Sequence, residues 1–216
     1  MSVCQNIVIV GGGTAGWLAA ARLGAALTGR AKITLIESPT VPTIGVGEGT
    51  WPSMRATLRA IGLAERDLIR YCDASLKQGT LFQGWVTGHP GDSYVHPFSL
   101  PAEYASINVA EWWRTRDDGH HFCDAVTPQS TIAAAHKAPK HKDMPDYAFA
   151  LNYGYHLDAG KFAGLLQRHS TEKLGVVHRL ADVVRVVGEG PGIISCLELS
   201  DGTTVDGDLF VDCTGQ

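Results

Sequence analysis

The sequence predicts an α/β protein built around a parallel sheet, and three patterns support this prediction. Residues 6–10 (NIVIV) and 32–37 (KITLIE) are short apolar runs, typical of strands that are buried on both faces. Between them, residues 15–27 are rich in alanine and leucine, as expected for a helix that packs on a sheet. The chain therefore opens with a strand–helix–strand unit.

The middle of the chain has weaker patterns. Helices are expected at 52–61, 65–75 and 108–117. Residues 87–102 are rich in Gly, Pro, Ser and His, which favours a long irregular loop. Residues 120–150 show no clear periodicity, so no element is predicted there.

The last third of the chain is more regular. Asp158 is expected to cap a helix over 159–169. Three strands joined by short turns follow between 182 and 210, which predicts a β-meander. Residues 208–215 (DLFVDCTG) then predict a buried strand that ends in a turn of small residues and returns to the parallel sheet.

Composition narrows the class of protein. With 44% hydrophobic and 19% charged residues, the chain is typical of a soluble globular protein. Its net charge of −4 and its lack of a basic run argue against nucleic acid as a partner. No apolar segment reaches the roughly 20 residues that a membrane span needs. The first strand follows the start so closely that no signal peptide is expected, and a cytoplasmic location is predicted.

Cysteine and histidine do not form a recognisable metal motif. The five cysteines (4, 72, 123, 196 and 213) are scattered and lack CxxC pairs, which indicates reduced thiols. His120–His121 and the pair His136 and His141 lie in polar segments without carboxylates at a useful spacing. We therefore expect no metal site.

A glycine-rich motif follows the first predicted strand and opens the first predicted helix. Gly11, Gly13 and Gly16 match the GxGxxG fingerprint in the context that it requires. Gly11 allows a tight turn, Gly13 lets the backbone approach a pyrophosphate, and Gly16 lets the helix approach the strand. This pattern predicts a dinucleotide site.

Other residues extend this site. Thr14 and Ala15 complete the turn at the helix N-terminus, whose N–H groups suit phosphate oxygens. Glu37 ends the second strand, where its carboxylate can accept a hydrogen bond from a ribose hydroxyl. These residues are compatible with either NAD or FAD as the dinucleotide. The meander followed by DLFVDCTG resembles the Rossmann-like FAD-binding fold of the glutathione reductase type, which favours FAD.

Several segments taken together resemble the flavin-dependent tryptophan halogenases. The resemblance runs along the whole chain, and its motifs are specific as a set. They are GGGTAGW (11–17), PTIGVGEGTWPSMR (42–55), DASLKQGTLFQGW (73–85), YVHPF (94–98), AEWW (110–113), YHLDAGKFAGLL (155–166) and DLFVDCTG (208–215).

The resemblance implies a reaction. A separate flavin reductase would supply FADH₂, which reacts with O₂ to give a C4a-hydroperoxide. Attack of halide on it would give hypohalous acid, which reaches Lys77, the residue expected to be catalytic. The electrophile, which is hypohalous acid polarised by the ammonium or a haloamine formed by the neutral amine, then halogenates an electron-rich aromatic such as tryptophan or an indole. We expect Lys77 in a partly dry cavity, where the pKa of an amine can fall.

The resemblance also assigns binding residues. A strap over the flavin is implied for Ile44, Val46, Gly47 and Glu48, and a contact with the adenosine end for Val183. His96 and Phe98 match the pair that sandwiches the aromatic substrate, since flat side chains give area and orientation. Trp113 is expected near the same region on weaker support.

The organisation of the chain follows from the same resemblance. Residues 1–86 and 155–216 are expected to form the FAD-binding domain, and 87–154 an inserted substrate-side segment. The family is roughly twice as long, and the Trp-x-Trp-x-Ile-Pro motif and the glutamate that works with the lysine are not in these 216 residues. We therefore expect an N-terminal portion of a longer protein. Gly49 and Trp51 depart from the family pattern, in which alanine and a smaller residue are usual.

Two alternatives stay open on the sequence. A flavin monooxygenase of the same fold would insert oxygen and would not need Lys77. A flavin-binding module would hold the cofactor without catalysis. The sequence does not decide between chloride and bromide, does not identify the aromatic substrate, and is compatible with a homodimer.

Overall fold

The computed structural model describes residues 4–42, 47–116, 119–188, 190 and 192–215. The chain divides into two compact units. The first comprises the residues up to Gly47, Thr57–Asp73 and the residues from Leu157 onward, and the second comprises Glu48–Ala56 and Ala74–His156.

Twelve strands and seven helices are found among the described residues. In chain order they are β1 (Asn6–Val10), α1 (Thr14–Ala26), β2 (Lys32–Glu37), β3 (Gly47–Gly49), α2 (Ser53–Ala60), α3 (Glu65–Tyr71), β4 (Ser75–Lys77), β5 (Gly79–Gln83), β6 (Ser93–Pro97), α4 (Val109–Arg114), α5 (Phe122–Val126), α6 (Gln129–Ala134), β7 (Gly154–Asp158), α7 (Ala159–Lys173), β8 (Val177–Leu180), β9 (Val183–Val187), β10 (Cys196–Leu199), β11 (Thr204–Asp206) and β12 (Leu209–Asp212).

A four-stranded parallel sheet forms the centre of the first unit, with the strand order β12-β1-β2-β8. The predicted strand–helix–strand opening is confirmed. Ile7, Val8 and Ile9 are buried in β1, because this strand has neighbours on both sides. Burying such β-branched side chains in a pleated surface stabilises the sheet.

Helices α1 and α7 pack on each other in the first unit. The small residues Ala20, Ala21 and Gly24 of α1 are buried, and a Cβ added to Gly24 would lie 3.2 Å from the Cβ of Leu174. The predicted cap is also confirmed, since the N–H of Lys161 donates to Oδ1 of Asp158 over 2.8 Å. A carboxylate that accepts from the first turn of a helix stabilises the helix N-terminus.

The predicted meander is confirmed as the antiparallel sheet β9-β10-β11. Leu197 and Leu199 of β10 are buried beside Val8 and Ile36 of the parallel sheet. The prediction that β12 is buried was wrong. It is an edge strand that pairs with β1, and Leu209 is 46% exposed because no strand among the described residues covers its outer side.

The second unit contains two small sheets. Strand β7 lies between β3 and β4, and β5 pairs with β6 as a hairpin. The predicted loop over 87–102 was wrong at Ser93–Pro97. These residues form β6 because β5 supplies the partner for their backbone groups, which a count of polar residues does not reveal. Residues 74–86, which the sequence placed with the FAD-binding domain, lie in this unit through the same pairings.

The predicted helices of the middle region are present with shorter bounds. They are α2, α3 and α4, and the side chain of Asn108 caps α4 by accepting from the N–H of Glu111. The segment without periodicity contains the two short helices α5 and α6. Helices this short depend on their surroundings rather than on periodicity.

Candidate functional site

The glycine turn of the first unit is held by backbone contacts. The N–H of Gly11 donates to the carbonyl oxygen of Ile36 over 2.9 Å, and its φ of +117° favours glycine. A Cβ on Gly11 would lie 2.4 Å from the carbonyl oxygen of Cys213, and a Cβ on Gly16 would lie 1.9 Å from that of Gly11. Glycine at both positions therefore lets the turn, the helix and the DCTG segment approach each other.

Gly13, Thr14 and Ala15 present the N-terminus of α1. Gly13 is the N-cap residue and no side chain caps the helix there. A Cβ built on Gly13 would meet no atom within 4 Å among the described residues, so this side of the turn is open. The first N–H groups of a helix have no partner within it, and together with the helix dipole they attract an anion. The turn fits the phosphates of a dinucleotide.

Glu37 lies over the same turn. A Cβ added to Gly12 would lie 2.1 Å from Cδ of Glu37. Nε2 of His178 is 2.8 Å from Oε2 of Glu37, but the two are not aligned for a hydrogen bond, and within the described residues both atoms are buried without one. His178 also packs edge-on against Trp17, with ring centroids 4.9 Å apart. Glu37 therefore lies beside the turn, with the imidazole of His178 against one of its carboxylate oxygens.

The other expected cofactor residues are placed less specifically. Val183 begins β9 and packs against the core beside Val8. Gly47 and Glu48 begin β3 and are exposed. Ile44 and Val46 lie outside the described residues.

Lys77, the expected catalytic residue, ends β4 in the second unit and is half-buried. It is in register with Gly154 of β7, and the adjacent Gln78 accepts a hydrogen bond from the N–H of Phe98. Nζ of Lys77 lies 5.5 Å from the ring centroid of Phe98 and 5.9 Å from that of Trp51. The ammonium therefore faces two aromatic rings at distances where the ring quadrupole attracts a cation.

A cleft runs beside Lys77. Its volume is about 810 Å³, and its wall includes the apolar side chains of Leu76, Leu81 and Val95. His156 also lines it. Burial, and after it the charge of Lys77, lower the pKa of His156 below its ordinary value. This places the imidazole in the electrostatic field of the ammonium.

The expected substrate residues lie on one side of this group. Phe98 is only 6% exposed, whereas His96 is exposed. Trp51 packs on both, with its ring centroid 5.5 Å from that of Phe98 and 6.4 Å from that of His96. The structure thus brings Lys77, His96 and Phe98 together around Trp51.

The backbone at Phe98 is fixed by a buried polar network. Nδ2 of Asn152 donates to the carbonyl oxygen of Phe98 over 2.9 Å, and Nε2 of Gln129 donates to the carbonyl oxygen of Asn152 over 2.5 Å. Arg55 donates to the side chain of Asn152 and to the carbonyl oxygens of Tyr153 and Tyr147. Such fully bonded polar groups favour one position of the ring.

Sequence reasoning missed part of this site. Trp51 was noted only as a departure from the family pattern, Arg55 and His156 lay in the resembling segments without an assigned role, and Asn152 gave no local signal. Trp113 is not part of the group as described, since it packs on Phe122 and its Nε1 donates to the carbonyl oxygen of His120.

Neither a metal centre nor a membrane-spanning helix is found among the described residues. No three or more His, Cys, Asp or Glu side chains in this part of the chain are arranged to hold a metal ion. None of its helices is long and apolar enough to cross a membrane.

The fold and the glycine turn together identify the structural class of this protein. A parallel sheet with GxGxxG after its first strand, and a meander leading back to that strand, is a Rossmann-like nucleotide-binding fold. The family model described as tryptophan halogenase matches residues 6–216, and the chain belongs to this family. The resemblance drawn from the motifs is thus confirmed.

Individual relatives agree with this assignment. A tryptophan 6-halogenase, ThaL of Streptomyces albogriseolus, is 36% identical over 98% of this chain and 42% of its own length. The crystal structure of a tryptophan halogenase from Shewanella frigidimarina NCIMB 400 is 44% identical, with a TM-score of 0.91, over 99% of this chain and 43% of that one. BrvH, a flavin-dependent halogenase from Brevundimonas sp. BAL3, is 32% identical, with a TM-score of 0.78, over 97% of this chain and 42% of that one. The chain thus spans about two fifths of the length of these relatives.

Proposed function

We propose that this chain carries the cofactor-binding and lysine-bearing parts of an FADH₂-dependent halogenase that acts on an electron-rich aromatic, tryptophan or an indole-like molecule. The observation that carries this proposal is the position of Nζ of Lys77, which lies 5.5 Å from the ring of Phe98 beside a cleft, in a member of the tryptophan halogenase family.

The residues of the first unit fit a flavin dinucleotide, and FAD is the form that we propose. Gly11, Gly13 and Gly16, with Thr14 and Ala15, would hold its phosphates on the open N-terminus of α1. Glu37 would accept from a ribose hydroxyl, and Val183 would contact the adenosine end. Ile44, Val46, Gly47 and Glu48 would form the strap.

The bound cofactor, reduced by a separate flavin reductase, would supply hypohalous acid from O₂ and halide. The part of this chain in the reaction begins with Lys77. Its ammonium would donate a hydrogen bond to the oxygen of the acid, which draws electrons away from the halogen and makes it a stronger electrophile. The aromatic carbon then gains the halogen and loses a proton, and the oxygen leaves as water.

Orientation would come from the aromatic group beside the ammonium. His96 and Phe98 would hold the substrate ring flat, so that one edge faces Nζ of Lys77. Phe98 is suited to this because Asn152 and Gln78 fix its backbone. We also propose that the first unit is the cofactor part and that the second supplies the substrate side.

The test uses the full-length protein with reduced FAD, bromide, O₂ and a panel of indoles, read by mass spectrometry. We expect a brominated product, which Lys77→Ala abolishes while flavin binding is retained. Lys142→Ala is the control, because Lys142 is an exposed lysine of the same unit.

Other outcomes would support the alternatives. A hydroxylated product that survives Lys77→Ala would indicate a monooxygenase. Flavin binding without any halide-dependent product would indicate a binding module, and either result would reject the proposed function.

A further inference from the structure

An indole of the chain itself lies where the proposed function puts the aromatic substrate. Trp51 directly follows the short β3 and Thr50, and its ring packs on Phe98 with an interplanar angle of 44°. The same indole and the imidazole of His96 are in edge contact, with an interplanar angle of 65°. Nζ of Lys77 lies 5.9 Å from the indole centroid, nearly the same as its 5.5 Å from Phe98.

The spacing leaves no place for a second ring. A ring sandwiched between two others needs two layers of van der Waals contact, so its flanking rings must be roughly 7 Å apart. The centroid of Trp51 is 5.5 Å from that of Phe98 and 6.4 Å from that of His96. No further ring therefore fits between Trp51 and Phe98 or between Trp51 and His96, and a substrate ring stacked on the side of Phe98 that Trp51 contacts must displace Trp51.

Of the two rings, Trp51 is the one that can move. Phe98 is 6% exposed, and its carbonyl oxygen and N–H are both hydrogen-bonded, to Asn152 and Gln78. Trp51 is 60% exposed in the described part of the chain. Rotating an exposed side chain away forfeits few contacts, whereas rotating the buried ring of Phe98 would lose close-packed contacts, and its backbone is held in place by these hydrogen bonds.

We propose that Trp51 is a specificity-determining residue that competes with the substrate for the face of Phe98. This inference rests on the proposed function for the place of the substrate. The indole of Trp51 occupies the ring site at rest, and an incoming aromatic must exchange with it. Trp51 thus weakens binding of every aromatic, most of all those too large to share the space with the rotated side chain.

The experiment measures binding of indole and of L-tryptophan to the full-length protein by calorimetry. Trp51→Ala removes the competing ring, and we expect the Kd of indole to fall by roughly 2- to 10-fold, the equivalent of one aromatic pair. Trp51→Phe leaves a smaller ring and should give an intermediate Kd. It also keeps the test available if the alanine variant folds poorly, which thermal melting would show.

Trp85→Ala is the matched control. Trp85 is another exposed tryptophan of the same unit, 72% exposed, and it packs on Phe82. Its removal should leave the Kd of indole unchanged. A Kd that is unchanged or higher in Trp51→Ala and Trp51→Phe would overturn the proposal, because the indole would then be neutral or a platform for the substrate.

The two proposals fail in different ways. If indole binds more tightly to Trp51→Ala but neither protein yields a halogenated product, the proposed function is rejected and the competition is supported. If both proteins halogenate indole with the same Kd and KM, the competition is rejected and the proposed function is supported.

Discussion

The glycine turn and the Lys77 site hold their functional groups in different ways. In the turn the groups are backbone N–H groups, and backbone atoms also fix them, since a Cβ on Gly16 would lie 1.9 Å from the carbonyl oxygen of Gly11. At the Lys77 site the groups are the ends of side chains, and Nζ of Lys77 stands 5.5 to 5.9 Å from its aromatic neighbours. Backbone contacts therefore fix the N–H groups of the turn in one arrangement, whereas the side chains of the lysine site can rotate.

This difference has a consequence for substitutions. A methyl group added at Gly11 or Gly16 would meet backbone atoms rather than a flexible side chain, so the backbone itself must shift. A change at the lysine site alters charge, ring contacts or access, while the strands that carry it keep their pairing. Substitutions at Gly11 and Gly16 should therefore act in an all-or-none manner, and those at the lysine site in a graded manner.

Gly16→Ala is the strongest test of the turn. Its Cβ would overlap the carbonyl oxygen of Gly11, and β1 cannot move away because β2 and β12 flank it. We expect the full-length variant to lose flavin binding, measured by the absorbance of the flavin that co-purifies with it. We also expect a large fall in its melting temperature.

Gly164→Ala is the control for adding a methyl group to a helix. Gly164 lies inside α7, and a Cβ there would meet no described atom within 4 Å. The intrinsic helix preference for alanine predicts unchanged flavin binding and a gain of up to about 1 kcal/mol in the free energy of unfolding. A Gly16→Ala protein that keeps its flavin would show that the backbone of the turn can shift to accept a methyl group.

Arg55→Met tests how the Lys77 site is supported. Arg55 is 8% exposed, donates to the carbonyl oxygens of Tyr153 and Tyr147, and lies over the ring of Phe149 at 4.1 Å. Methionine fills part of the space but leaves these acceptors without the donor. We expect a loss of about 3 kcal/mol in the free energy of unfolding, measured by urea denaturation.

Arg66→Met is the matched change, because Arg66 is exposed on α3. A surface substitution of this kind should stay within about 0.5 kcal/mol. If the Arg55 variant is as stable as the Arg66 variant, the network around Asn152 does not hold Phe98, and the lysine site is looser than the contacts indicate.

The fold could be predicted where its signal is local. Residues 6–10 and 32–37 carry their burial in their own composition, and the Asp158 cap lies three residues from the N–H that it accepts from. Strand β6 was missed because its partner β5 supplies the regularity that its own residues lack. The exposure of β12 was missed because a sequence does not show which strand is at the edge.

The candidate site divides in the same way. Lys77, His96 and Phe98 were proposed from motifs, since each falls within a short stretch that resembles the family. Arg55 and Asn152 are 97 residues apart in the chain and meet only through folding. Nothing in either residue alone indicates a buried partner, so contacts of this range require the structure.

His156 gives the smallest and sharpest test of the lysine site. Its pKa is lowered first by burial and second by the charge of Lys77. The folded protein therefore binds fewer protons at this group than the unfolded chain between the lowered pKa and the ordinary value of about 6.5. The contribution of His156 to stability is complete above that ordinary pKa and is lost as the pH falls through the lowered one.

Lys77→Met removes the charge and keeps a side chain of similar length. We expect the pKa of His156 to rise toward its ordinary value without reaching it, because burial, the larger cause, is unchanged. The measurement is an NMR titration of the imidazole Cε1 proton, with Lys142→Met as the control that should leave the pKa unchanged. If the pKa of His156 is the same in the wild type and in Lys77→Met, the ammonium does not act on this imidazole. The lowered pKa of His156 would then be due to burial and not to Lys77.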